Sequence, residues 1–69
     1  MIIDWENGFK IDVQIDNGTV VISANKAGLL SLATQLSALA KEMPGSHIHY
    51  DEYNSLENGS AEMIIGRVK

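Results

Sequence analysis

The chain predicts an α+β domain of order β-β-α-β-β, with one helix packed on one face of a four-stranded, mainly antiparallel sheet. Three observations lead there. Residues 9–15 alternate apolar and polar and run into Asn17-Gly18, a two-residue hairpin turn. Residues 25–43 repeat apolar side chains at helical spacing until Pro44-Gly45 stops them. Two short apolar runs, around Ile48 and around Ile64, follow the helix. Strands and a helix in that order have one simple layered solution, the helix laid on the sheet.

Residues 1–8 carry Met1, Ile2, Ile3 and Trp5 and close on the turn signal Asn7-Gly8. They form either a short edge strand or an N-terminal arm, with Trp5 packing over the rim of the core. In residues 9–15, Phe9, Ile11, Val13 and Ile15 face one way and Lys10, Asp12 and Gln14 the other, the pattern of a half-buried strand. Asn17-Gly18 suits a type I′ turn because both residues tolerate positive φ. That turn sets a register of Asp16 with Thr19, Ile15 with Val20, Val13 with Ile22 and Ile11 with Ala24, which brings the apolar residues of both strands to one face.

In the helix, Leu29, Leu32, Ala33, Leu36, Leu39, Ala40 and Met43 fall within one stripe about 120° wide, enough to face a core. Asn25 is the N-cap. Gly28 in the first turn is either a close backbone contact or kink, or merely a tolerated small residue. Pro44 forces Met43 out of the α region, so the helix is expected to reach Met43. The opposite face, Ser31, Thr34, Gln35, Ala38, Lys41 and Glu42, reads as a solvated surface of small polar groups; its low charge also suits packing against something, a second copy of the chain included.

Residues 46–51 form a third strand, with Ile48 and Tyr50 on one face and His47, His49 and Asp51 on the other. Residues 52–60 are a polar loop anchored by Leu56. Residues 61–68 form the fourth strand, and Met63-Ile64-Ile65, apolar on both faces, places it inside the sheet and not at an edge. Strand orders 2-1-4-3 and 2-1-3-4 both fit.

The 69 residues are expected to make a single domain, 1–69, whose small size leaves little apolar surface to bury. There are no cysteines, hence no disulfide, thiolate metal site or thiol nucleophile. No stretch resembles a signal peptide or a membrane span, which makes the cytoplasm the expected location. The net charge is −4, and residues 47–62 hold four acids (Asp51, Glu52, Glu57, Glu62) with no Lys or Arg, while the remainder balances five acids against five bases. The excess negative charge therefore sits in one C-terminal segment. It opposes nucleic-acid binding, which needs a basic patch, and suits either a solvated loop or a basic protein partner.

Period-two spacing puts His47, His49 and Asp51 on one side of one strand, so two imidazoles and a carboxylate form a conceivable metal triad. Three ligands from one short strand enclose a metal poorly, and no outer partner is identifiable, so a polar solvent- or interface-facing strand is the better reading. No nucleophile, oxyanion donor or phosphate loop accompanies the histidines, which points away from an enzyme. Asn58-Gly59-Ser60 precedes a strand, whereas phosphate loops precede a helix, so it reads as a turn. No cofactor and no membrane or nucleic-acid partner is expected.

Three blocks carry a likeness to a known family. Residues 25–33 read NKAGLLSLA, residues 45–51 GSHIHYD, and residues 56–60 LENGS, followed by Glu62-Met63-Ile64-Ile65. In order and spacing they resemble the bacterial immunity protein 32 family from about Thr19 to Val68, with GSHIH the most specific part. Tyr50 and Met63 stand where that pattern would carry a plain aliphatic. The resemblance implies a small bacterial protein that binds a polymorphic toxin and occludes or distorts its active site, with no catalysis of its own. It assigns no contact residues. Residue chemistry alone selects His47, His49, Asp51, Glu52, Tyr53 and Glu57 as the partner-facing set, suited to a cognate toxin with a basic surface. The alternatives are a small homo-oligomeric interaction domain, such as a homodimer, and a His-x-His metal-binding protein.

Overall fold

A computed structural model describes all 69 residues. The chain runs β1 (Ile11–Asp16), β2 (Thr19–Ala24), α1 (Lys26–Leu39), β3 (His47–Tyr50) and β4 (Met63–Gly66). The order of elements is the expected one, but the sheet is not. β1 pairs only with β2 and β3 only with β4, so two separate two-stranded antiparallel sheets replace the single four-stranded one. Neither strand order foreseen from the sequence describes this arrangement, and β4 is an edge strand with Ile64 exposed.

The reason lies in residues 57–61, which run along the free edge of β1. Glu57 N–H donates to Ile11 O (2.9 Å) and Ala61 N–H to Val13 O (2.7 Å). Residues four apart in this segment thus meet carbonyls two apart in β1. The surplus is taken up by the Asn58-Gly59 turn, with Gly59 at φ 87°, a conformation glycine adopts without a Cβ clash. Val13 N–H, which a continuing ladder would give to a backbone carbonyl, donates instead to Ser60 Oγ (3.2 Å). The ladder stops there.

The first hairpin forms as its alternation dictates. Asn17 (φ 49°) and Gly18 (φ 81°) make the turn, and the register is Ile11 with Ala24 through Asp16 with Thr19. Asn25 then joins hairpin to helix. Its N–H donates to Lys10 O (3.1 Å). Its side-chain oxygen accepts from Gly28 N (2.8 Å) and Lys10 N (3.0 Å), and its amide nitrogen donates to Gly8 O (2.9 Å).

The helix ends at Leu39, a turn earlier than expected. The ring of Pro44 clashes with a helical carbonyl four residues back, at Ala40, so the last residues tighten. Lys41 N–H donates to Ala38 O and Glu42 N–H to Leu39 O.

The buried stripe of α1 is Gly28, Ser31, Leu32, Gln35 and Leu39. It is rotated roughly a quarter turn from the all-apolar stripe; Leu32 and Leu39 belong to both. Leu29 (56 % exposed), Leu36 and Met43 are exposed, against expectation, while Ser31 and Gln35 are buried. Residues 1–8 explain this. They run antiparallel along the helix as an arm, with the N-terminal amine 3.7 Å from Glu42, Asp4 O accepting from Gln35 Nε2 (2.8 Å), and Glu6 N–H donating to Ser31 Oγ (2.8 Å). The supposedly solvated polar face is the arm's docking face. Trp5 stacks on Phe9 at 4.2 Å between centroids and meets Tyr50 edge-on at 6.3 Å, over the rim of the core as expected.

The core is Ile11, Val13, Leu32, Leu39, Ile48, Tyr50 and Leu56. Tyr50 is 0 % exposed, and its hydroxyl donates to Gln35 Oε1 (2.8 Å). Both ends of the Gln35 amide are thereby satisfied, and no buried side-chain polar atom lacks a partner.

A Cβ at Gly28 would lie 2.5 Å from Lys10 O and 3.0 Å from both Ala24 Cβ and Ile11 Cγ1. Alanine is favoured in helices by about 1 kcal/mol, but overpacking against backbone costs about 1–3 kcal/mol. Gly28→Ala therefore lowers the urea midpoint and the Tm; a rise in either would show that β1 and the helix separate freely. Burial also pushes the Tyr50 phenol above its ordinary value. The folded chain holds that proton more tightly than the unfolded chain, so the contribution is intact below about pH 10 and is lost as pH rises through the folded value. Tyr50→Phe costs about 1–3 kcal/mol near neutrality, because Gln35 Oε1 loses its donor. It also removes that alkaline component, which urea titrations of both proteins at pH 8 and above 10 would compare.

Candidate functional site

The second hairpin and the loop between its strands carry all six residues selected from the sequence. β3 alternates as expected. Ile48 and Tyr50 are buried, while His47 and His49 are exposed on the outer face. There the two imidazoles lie against each other with centroids 4.8 Å apart, beside Ile64, the cross-strand partner of His49. His47 Nδ1 lies 3.2 Å from Gly45 O.

Asp51 leaves this face. Its carboxylate turns into its own loop, where Oδ1 accepts from Tyr53 N (2.9 Å) and Asn54 N (3.0 Å). Asn54 replies by accepting from Asp51 N (3.1 Å) and donating to His49 O (3.1 Å). Asp51 O takes the N–H groups of Ser55 and Leu56. The triad suggested by period-two spacing is therefore not assembled, because an Asx turn offers the carboxylate two backbone donors. No three His, Cys, Asp or Glu side chains in the fold lie close enough together to hold a metal.

The loop is held at three further points. Leu56 is buried in the core, as its position suggested. Glu52 Oε2 accepts from Gly59 N (2.8 Å), and Ser60 Oγ donates to Asp12 Oδ1 (3.2 Å). Held in this way, the loop presents Tyr53 at 98 % exposure. Glu52 and Glu57 are exposed and Asp51 half-buried around it. The fold's single ion pair joins the N-terminus to Glu42, so no Lys or Arg of the chain neutralises these carboxylates.

Of the six residues, only Glu57 lines a surface concavity, which it shares with Lys10, Asp12 and Ser23. A small-molecule site is normally a cleft that buries most of its ligand; the other five residues lie on open surface or in the loop's own hydrogen bonds. The sequence did not disclose that Asp51 and Glu52 are loop fasteners as well as charges. The one legible signal was Asp51 three residues before Asn54, a spacing at which side chains bond local backbone.

The chain is thus a small α+β domain, two hairpins sharing one helix-backed core and presenting an acidic loop. Residues 19–68 match the family of immunity protein 32. The chain belongs to the immunity protein 32 family. No curated protein and no solved structure matches it. The matched span begins at β2 and takes in the helix, both histidines and the whole acidic loop, and leaves out the arm and β1.

Removing the Asp51 carboxylate tests the loop's construction. Asp51→Ala is expected to cost about 1 kcal/mol, the usual worth of a side-chain cap on backbone donors. It should speed amide exchange at Tyr53 and Asn54 before any other site. Asp51→Asn keeps the accepting oxygen and should leave both amides protected; exchange as fast as in the alanine variant would refute the capping role.

Proposed function

We propose that this protein neutralises a cognate bacterial toxin in the cytoplasm by binding it and occluding its active site, and that it performs no reaction of its own. Family membership supplies the class of partner. One observation supports the choice of surface. Tyr53 stands fully exposed on a loop whose backbone is pinned by Asp51, Asn54, Glu52 and Leu56. A pinned backbone forfeits little conformational entropy on binding, and the exposed tyrosine it carries is a residue type suited to anchor an interface. The carboxylates around it, none of them in an ion pair, favour a toxin with a basic active-site rim, and would speed the encounter at low ionic strength. In this reading His47, His49, Asp51, Glu52, Tyr53 and Glu57 form the contact surface, with Asp51 and Glu52 also setting its shape.

The test is co-expression with a toxin domain, sought first in the reading frames neighbouring the gene, scored by growth, and calorimetry on the purified pair. Tyr53→Ala should weaken the complex by about tenfold or more, as loss of a buried tyrosine anchor does, with the Tm unchanged. Glu57→Lys reverses a charge whose carboxylate has no partner within the chain and should slow association most at low salt. Wild-type affinity in both variants would remove this surface from the interface.

A further inference from the structure

The free edge of β2 is the part of the molecule that neither the core nor the acidic loop uses. Every residue from Thr19 to Ser23 is exposed. The strand, TVVISA, carries no charge and no proline, although its chain carries −4. Monomeric proteins usually protect such an edge with lysine, proline, a bulge or a covering loop. The opposite edge of this sheet has a cover, residues 57–61 on β1; β2 has none.

We infer that a second copy of this chain adds along β2, antiparallel, about a two-fold axis at Val21, to give a continuous sheet β1-β2-β2-β1. Hydrogen-bond parity narrows the register. Asn25 N–H donates to Lys10 O, its opposite number in the hairpin, so Ser23, Val21 and Thr19 alternate as the residues bonded to β1. Val20 and Ile22 then direct their N–H and C=O groups outward, and neither has a hydrogen-bond partner outside the ladder. Two copies can pair only if outward-directed residues oppose one another, which puts the axis on a residue and not between two. With the axis at Val21, Val20 of each copy bonds to Ile22 of the other, and the two Val21 side chains meet on the outer face. Val21 is also the middle of the exposed run Thr19–Ser23, so this axis pairs the whole of that uncharged stretch with itself. On the inner face, exposed Val20 and Ile22 of each copy gain an apolar neighbour.

The sequence has no native cysteine, so single-cysteine variants report the register directly. Partners in a non-hydrogen-bonded pair stand about 4.5 Å apart between Cα atoms, within the range a disulfide spans. Val21→Cys should cross-link into a covalent dimer under mild oxidation at least tenfold faster than Val20→Cys or Ile22→Cys, whose counterparts are offset. Sedimentation of the unmodified chain should show dimer growing with concentration. Val21→Lys, which sets two like charges face to face, should leave a monomer with an unchanged circular dichroism spectrum. Equal cross-linking rates at the three positions would overturn the register. A chain that stays monomeric at millimolar concentration would overturn the dimer. If that monomer also lost toxin affinity on Val21→Lys, the edge would belong to the toxin.

Discussion

The hydroxyl of Tyr50 is the constraint on which the rest of the packing turns. It lies in the middle of the core, where an unpaired hydroxyl would cost about 1–3 kcal/mol. The only way to keep the ring inside is to bring it an acceptor, and Gln35 of the helix does so. The amide that accepts must then place its own N–H₂, and Asp4 O of the arm receives it. One buried phenol thus ties the second hairpin to the helix, and the helix to the N-terminal arm. A leucine at position 50 would ask for none of this.

The orientation of the helix follows. Gln35 can reach Tyr50 only if the Ser31–Gln35 side of the helix turns inward, and the bare backbone at Gly28 lets that side settle against β1. Leu32 and Leu39 lie where the two candidate faces overlap and are buried in either orientation. Leu29 and Leu36 lie outside the overlap and emerge at the surface. The arm seals the polar side with backbone hydrogen bonds to Ser31 and Gln35 and with Trp5 stacked on Phe9. The first eight residues are therefore structural, although they fall outside the family match.

Two surfaces with different chemistry remain. The acidic loop is polar, pinned at its base and tipped by an exposed tyrosine; the β2 edge is neutral, apolar and rich in unpaired backbone groups. They belong to different hairpins, so a partner at one need not exclude a partner at the other. A chain this short has little core of its own and gains from any extension of its sheet.

Local signals decided much from the sequence alone. Asn17-Gly18 and the alternation before it set the first hairpin residue for residue, because a two-residue turn leaves no choice of register. Asn25 capped the helix, Ile48 and Tyr50 faced inward, Leu56 anchored the loop, and three sequence blocks marked the family. Each of these depends on residues near one another in the chain. What depended on residues far apart was decided only in the tertiary structure. Whether the hairpins would join rested on how residues 57–61 met β1, and a Ser60 side chain in place of a carbonyl kept them apart. Which side of the helix would be buried rested on a tyrosine fifteen positions beyond Gln35 and an arm thirty-one positions before it. Whether Asp51 would join the histidines rested on a contest between facing them and capping two amides. Periodicity records the average apolarity of a face; it cannot weigh one buried hydroxyl or one backbone donor, and here those single groups chose among otherwise comparable packings.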